Sequence, residues 1–247
     1  MTAVLECRVA LVTGGSRGIG AAIALRLAQD GADVALTYQH NADRADAVVD
    51  QIKAVGRRAL VIRADSGDPA AVVGAVEQTV AEFGRLDILV NNAAAFVVGP
   101  LYDLRLADVN RTLNVNVRAP FLAAQAAARH MTEGGRIITI GSNVIERIPF
   151  PGMTLYALSK AALVGLTKGL ARDLGARGIT ANLVSPGPTD TELSPADAPN
   201  ADVIRGLTAV GRYATPADIA ATVAHLAGES ARNITGANIA VDGGITA

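Results

Sequence analysis

Tyr156 and Lys160 stand four residues apart in the run Tyr-Ala-Leu-Ser-Lys, a spacing that places both side chains on one face of a helix. A free phenol titrates near pH about 10, and an ammonium beside it favours the ionised form, so the pair could exchange a proton with a bound molecule near neutral pH. Taken alone, the same two residues also read as a ring at the edge of a core and a solvated charge. Their surroundings favour chemistry. Ser142, Asn91-Asn92-Ala93-Ala94 and Ser185-Pro186-Gly187 each follow an apolar run that reads as a strand. Placed at the carboxyl ends of parallel strands, they would meet where open α/β sheets bind ligands.

A second group could hold that ligand. From Arg8 to Ala28, an apolar run (Val9, Ala10, Leu11, Val12) enters a turn with Gly14, Gly15, Gly18 and Gly20, and leaves it with Ile19, Ile23 and Leu27 at helical spacing. Strand, glycine turn and helix form a phosphate-binding unit. Backbone N–H groups and the partial positive charge at the helix start attract a pyrophosphate, and glycines clear its approach. Four glycines in seven residues exceed what a tight turn needs.

The elements that must carry these groups alternate along the chain. Strands are expected at residues 9–12, 32–38, 58–64, 86–90, 135–140, 179–184 and 237–241. Helices are expected after the glycine turn and at 41–55, 68–83, 103–130, 156–174 and 217–227. Asp68 and Pro69 read as the cap and first turn of their helix. Pro120, inside the 103–130 segment, predicts a bend or local opening. Strands too apolar to be half exposed call for a parallel sheet covered on both faces. The fold expected is a single-domain α/β chain, 1–247, with a Rossmann-type doubly wound sheet of about seven strands. Between 185 and 215 the alternation lapses, with Pro186, Pro188, Pro195 and Pro199 among scattered acids. This reads as a mobile substrate lid with a short helix near 201–207.

Composition excludes several other classes. Half of the 247 residues are apolar, enough for a large core. With 22 basic and 23 acidic residues and 3% aromatics, nothing draws the chain to nucleic acid or an anionic membrane. No run reaches the about 18 apolar residues of a membrane span, and Glu6 and Arg8 interrupt the N-terminal apolar stretch, so a cytoplasmic protein is expected. Cys7, the single cysteine, is expected to be a packed thiol. His40, His130 and His225 are too scattered for a metal site, and none is expected. Asp43, Asp46 and Asp50 read as a solvated helix face, while Asp190, Glu192 and Asp197 need no role beyond loop acids.

In the order Thr13-Gly14-Gly15-Ser16-Arg17-Gly18-Ile19-Gly20, Asn91-Asn92-Ala93-Ala94, Asn116, Ser142, Tyr156 with Lys160, Pro186-Gly187 and Val241-Asp242-Gly243-Gly244, the chain resembles the short-chain dehydrogenase/reductase family over essentially its full length. The likeness is strongest to 3-oxoacyl-carrier-protein reductases and related ketoreductases. Ala94 stands where that family usually has glycine. The resemblance implies that Tyr156 gives a proton to a carbonyl oxygen as hydride arrives from a nicotinamide. It also implies that Lys160 lowers the phenol pKa and holds the ribose, and that Ser142 hydrogen-bonds the reacting oxygen. Asn116, preferred to Asn114 by its spacing to Phe121, would hold a relay water, and Asn143 would be pocket wall.

An NAD site ends its second strand in an acid that binds the ribose and repels a 2′-phosphate. Here Tyr38-Gln39-His40-Asn41 stands there, with Arg17 in the glycine turn, a pattern that favours NADP(H). Arg17 is expected to pair with the phosphate. Gln39, His40 and Asn41 are its hydrogen-bonding candidates, Asp65 and Ser66 resemble adenine contacts, and Asn92, Ala93 and Ala94 line the cofactor. Ser16, Gly18, Ile19, Pro186, Gly187, Thr189 and Thr191 complete the cofactor set through the pyrophosphate and the nicotinamide amide.

Phe96, Val97 and Val98, with Val144, Ile145, Phe150, Pro151 and Met153, suggest an apolar wall suited to a ketone on an aliphatic, aromatic or polyketide-like skeleton. The leading reading is NADPH-dependent reduction of such a ketone to a secondary alcohol. An oxidative alcohol or sugar dehydrogenase and a dinucleotide-binding sensor or scaffold without turnover are the alternatives. Arg172 and Arg177 could dock an acidic carrier protein, although Glu133 interrupts that patch, so carrier dependence stays open. The resemblance also implies a homotetramer.

Overall fold

The computed structural model describes residues 4–247. Seven strands form one parallel sheet in the order β3-β2-β1-β4-β5-β6-β7: β1 (Val9–Val12), β2 (Asp33–Tyr38), β3 (Ala59–Arg63), β4 (Ile88–Asn91), β5 (Arg136–Ile140), β6 (Thr180–Pro186) and β7 (Asn238–Val241). Every pairing is parallel. The expected doubly wound Rossmann architecture is therefore present. Sheet order reverses between β1 and β4, which opens a crevice at their carboxyl ends.

Alternation along the strands sends residues to two cores. Ala10 and Val12 of β1, with Val34 and Leu36 of β2, pack against α1 (Gly18–Gln29), α2 (Ala42–Ala54) and α8 (Pro216–Ala227). Leu11 and Ala35 face the opposite layer, built on α3 (Pro69–Phe83), α5 (Ala119–His130) and α6 (Thr154–Leu174). Local chemistry fixes the helix ends. Asn41 caps α2 and Asp68 caps α3, where Pro69 takes the first turn and Gly84 ends the helix at φ +80°. Thr215 and Asp218 close a reciprocal capping box on α8.

The local opening expected at Pro120 is present, and two other expectations change. The 103–130 segment divides into α4 (Leu106–Leu113), a π-helical turn (Asn114–Arg118) and α5. The opening therefore lies just before Pro120, because a proline ring crowds the carbonyl four residues back, here that of Asn116. Asn91 belongs to β4, and Ser185 and Pro186 belong to β6, where they pair with Ala240 and Val241, so the loop begins at Gly187 rather than at 185. Cys7 is exposed at φ +62°, not packed. Within the loop, α7 (Ala201–Gly206) forms where the short helix was expected.

Candidate active site

The glycine turn is closed by packing. Gly14 and Gly18 have φ +65° and +53°, which favours glycine. A Cβ on Gly20 would stand 2.3 Å from the Gly14 carbonyl oxygen and 2.4 Å from Asn92 Nδ2. Thr37 Oγ1 accepts from the Gly14 N–H at 2.9 Å, and Asn92 Nδ2 donates to the carbonyls of Thr13 and Gly14 at 2.9 and 3.0 Å. The Asn92 side chain therefore shapes the turn, and its amide hydrogens are spent there. Arg17, at the N-cap of α1, supplies no side-chain acceptor, and the first turn of α1 holds no acid. Its backbone N–H groups are left for an anion, so a dinucleotide pyrophosphate fits this cradle.

From that turn a cleft runs along the carboxyl edge of the sheet. Ser16, Arg17, Ile19, Tyr38, Gln39, His40, Asn41, Asp65 and Ser66 line one end. Three of these have side chains already engaged: Asn41 Oδ1 accepts from the Arg44 N–H at 3.0 Å, Asp65 Oδ1 from the Gly67 N–H at 2.7 Å, and Arg17 Nη1 donates to Glu192 Oε2 at 3.3 Å. Ala93, Ala94, Pro186, Gly187, Thr189 and Thr191 line the middle, and Ser142, Tyr156 and Lys160 the far end. Gly187 has no room for a side chain, since a Cβ would meet Asp242 Cα at 2.6 Å. Thr189 Oγ1 donates to the Gly187 carbonyl at 3.0 Å.

Tyr156 and Lys160 share a face of α6, as their spacing predicts. The Lys160 ammonium lies 5.8 Å from the Tyr156 ring centroid and donates to the Ile140 carbonyl at 2.8 Å. Ser142 follows β5 by two residues and caps the short turn Asn143–Ile145, its Oγ accepting from Val144 N–H at 3.4 Å. Phe96 meets the Tyr156 ring edge-on at 4.9 Å between centroids.

Electrostatics here run against expectation. Burial pushes the Tyr156 phenol up to about 12 from its ordinary 10.0, while a hydrogen bond with Ser142 pulls weakly the other way. Burial also brings Lys160 down to about 8 from 10.5. Loss of water destabilises both charged forms, so burial moves the phenol away from the neutral range toward which the spacing predicts a shift.

The Asn116 side chain is fully engaged. It is buried in the π-helical turn, its Nδ2 donating to the Ala95 carbonyl and Ser159 Oγ, each at 2.9 Å, and its Oδ1 accepting from the Ala95 N–H at 2.7 Å. The side chain clamps the segment after β4 to α6.

Among the apolar wall residues, Phe96, Val98, Val144, Phe150, Pro151 and Met153 line the cleft with Asn143, while Val97 and Ile145 do not. Arg172 and Arg177 follow Tyr156 by 16 and 21 positions along and beyond α6, so Arg172 alone lies about 24 Å away, at the opposite edge of the sheet. Arg177 there donates to the Met131 carbonyl at 2.6 Å. Glu192, read from sequence as a loop acid, accepts from Arg17 and Arg44 across the cleft, a pairing with no local sequence signal. Thr37 was also missed, although the alternation of β2 could have pointed to it. No group of three or more His, Cys, Asp or Glu among the described residues could hold a metal, and no helix among them is long and apolar enough to cross a membrane.

Residues 14–246 match the family model described as enoyl-(acyl carrier protein) reductase. The chain is 44% identical over 236 residues to the cyclic-di-GMP-binding biofilm dispersal mediator protein of Escherichia coli, covering 96% of each chain. It is 40% identical over 253 residues to versicolorin reductase 1 of Aspergillus parasiticus, covering 97% of each. A short-chain dehydrogenase of Burkholderia cenocepacia, solved in complex with NADP, is 58% identical and superposes with a TM-score of 0.98 over 99% of this chain and 100% of that one.

Proposed function

The chain belongs to the short-chain dehydrogenase/reductase family of oxidoreductases, and on that premise we propose that it reduces a ketone on an apolar skeleton to a secondary alcohol with NADPH. One observation carries the reading: Ser142, Tyr156 and Lys160 come together in one cleft with an apolar wall, so a phenol that is neutral at neutral pH stands as a proton donor beside a hydroxyl and a buried ammonium. An apolar wall of Phe96, Val98, Val144, Phe150 and Met153 matches an aliphatic or aromatic substrate better than a sugar. NADP bound to the Burkholderia cenocepacia relative and the reductase name of the Aspergillus parasiticus relative support the same reading.

When bound, NADPH supplies the hydride. Ser142 Oγ donates a hydrogen bond to the substrate oxygen and stabilises the charge growing there. Tyr156 gives that oxygen its proton, and Lys160 across the helix turn offsets the negative charge left on the phenol. The glycine turn and the uncapped start of α1 hold the pyrophosphate, and Arg17 takes the 2′-phosphate. Asn116 keeps Ala95 and Ser159 in register, which places Phe96 against the Tyr156 ring.

A homotetramer is part of the proposal. Leu101, Tyr102, Leu106, Phe121 and Leu158 are exposed apolar side chains around α4, α5 and α6, a surface suited to packing between subunits. Sedimentation at micromolar concentration measures the state.

Purified chain mixed with NADPH and a panel of aliphatic, aromatic and polyketide-like ketones should show loss of absorbance at the nicotinamide band. Reduction of NADP by alcohols or sugars alone would instead establish the oxidative reading. Nucleotide binding, with cyclic-di-GMP among the ligands, without turnover in either direction would establish a sensor.

A further inference from the structure

The loop after β6 brings a carboxylate to the cationic end of the cleft. Arg44 Nη1 donates to Glu192 Oε1 and Oε2 at 2.5 and 2.6 Å, and Arg17 Nη1 donates to Oε2 at 3.3 Å. The partners come from three separate places: the N-cap of α1, the first turn of α2 and the loop 148 and 175 residues further on. All three line the cleft beside Gln39 and His40, where β2 ends without an acid. Arg44 first, and then Arg17, hold the Glu192 carboxyl below the usual carboxylate range. The attachment extends along the loop: a Cβ on Gly18 would meet the Thr191 methyl at 3.5 Å, and Thr191 and Ser194 exchange backbone hydrogen bonds at 3.0 and 3.3 Å.

A phosphate monoester carries about two negative charges and three acceptor oxygens, against one charge and two oxygens for a carboxylate. Both anions seek the same guanidinium forks, and side by side they repel. We propose that Glu192 is a built-in competitor for the 2′-phosphate of NADP(H): the phosphate takes Arg17 and Arg44 from it, and loss of that tie frees the loop after β6 from the glycine turn. Arg44 thereby becomes a second specificity residue beside Arg17. A nucleotide with a 2′-hydroxyl leaves the tie in place, so the phosphate that selects the cofactor also changes the loop over the substrate cleft.

The inference rests on the NADP(H) reading, and its test separates the two. The intact chain is titrated by calorimetry with 2′,5′-ADP and with 5′-AMP, comparing the native sequence, Glu192→Gln and Asp197→Asn. Asp197 is exposed on the same loop outside the cleft, so its variant reports the effect of one lost charge alone. Hydrogen exchange of residues 188–200 is followed in parallel. Glu192→Gln should bind 2′,5′-ADP roughly three- to tenfold tighter with 5′-AMP unchanged, and Asp197→Asn should change neither by more than about twofold. Exchange in 188–200 should rise in the native chain with 2′,5′-ADP but not with 5′-AMP, and should already be raised in Glu192→Gln. Equal gains in both variants, or loop exchange indifferent to the 2′-phosphate, would overturn the competitor while leaving the cofactor reading intact. A native chain with no preference for 2′,5′-ADP over 5′-AMP would overturn both.

Discussion

The Lys160 ammonium stands 5.8 Å from the centre of the Tyr156 ring, one helical turn further along α6, and donates its hydrogen bond to the Ile140 carbonyl. Both groups are in a site where loss of water governs titration, and each resists its charged form. A stability profile in alkali should show this.

With Lys160 at about 8 in the folded chain and 10.5 when unfolded, the unfolded chain binds more protons between those values, so stability rises with pH there. Tyr156 contributes the opposite slope, but only above pH 10, where the unfolded phenol ionises first. Denaturant melts of nucleotide-free protein between pH 7.5 and 9.5 should show the native chain gaining about 2 kcal/mol relative to Lys160→Met. Parallel curves for the two proteins would mean that Lys160 is hydrated.

Tyr156→Phe keeps the ring and its edge contact with Phe96 while removing the proton. NADPH affinity measured by fluorescence should stay within about twofold, and ketone reduction should fall by about a hundredfold or more. Substantial residual turnover would show that another group supplies the proton.

Arg17→Ala should weaken NADPH roughly tenfold and NADH little, as expected from loss of a charge-assisted hydrogen bond to the 2′-phosphate. Dissociation constants for both cofactors test this, and equal losses would refute the phosphate assignment.

Gly20→Ala places a methyl 2.3 Å from the Gly14 carbonyl oxygen and 2.4 Å from Asn92 Nδ2, both fixed by backbone geometry or hydrogen bonds. The turn must open, at a cost of about 1–3 kcal/mol. Thermal melts should show lower stability, and NADPH binding should weaken with it. An unchanged melting temperature together with native affinity would contradict the packing of the turn.

Much of the fold follows from patterns within one element and its immediate neighbours. Continuous apolar runs such as Val9–Val12, alternating with capped amphipathic segments, require buried parallel strands between helices, and the glycine turn and the Tyr156–Lys160 spacing need only local geometry. Strand ends were less legible. Asn91, Ser185 and Pro186 join the sheet because neighbouring strands offer hydrogen-bonding partners, which the local sequence does not encode.

By itself, then, the sequence determined the layered parallel sheet, the glycine turn between β1 and α1 and the placing of Tyr156 and Lys160 on one helix face, because hydrophobic period, capping and turn chemistry act over a few residues. Tertiary structure alone decided the desolvation that raises the phenol's pKa, the commitment of Asn116 to Ala95 and Ser159, the distance of Arg172 from the cleft and the pairing of Glu192 with Arg17 and Arg44. Those properties depend on desolvation and on charges brought together across long stretches of chain, and both are set only when the sheet and its helices have packed.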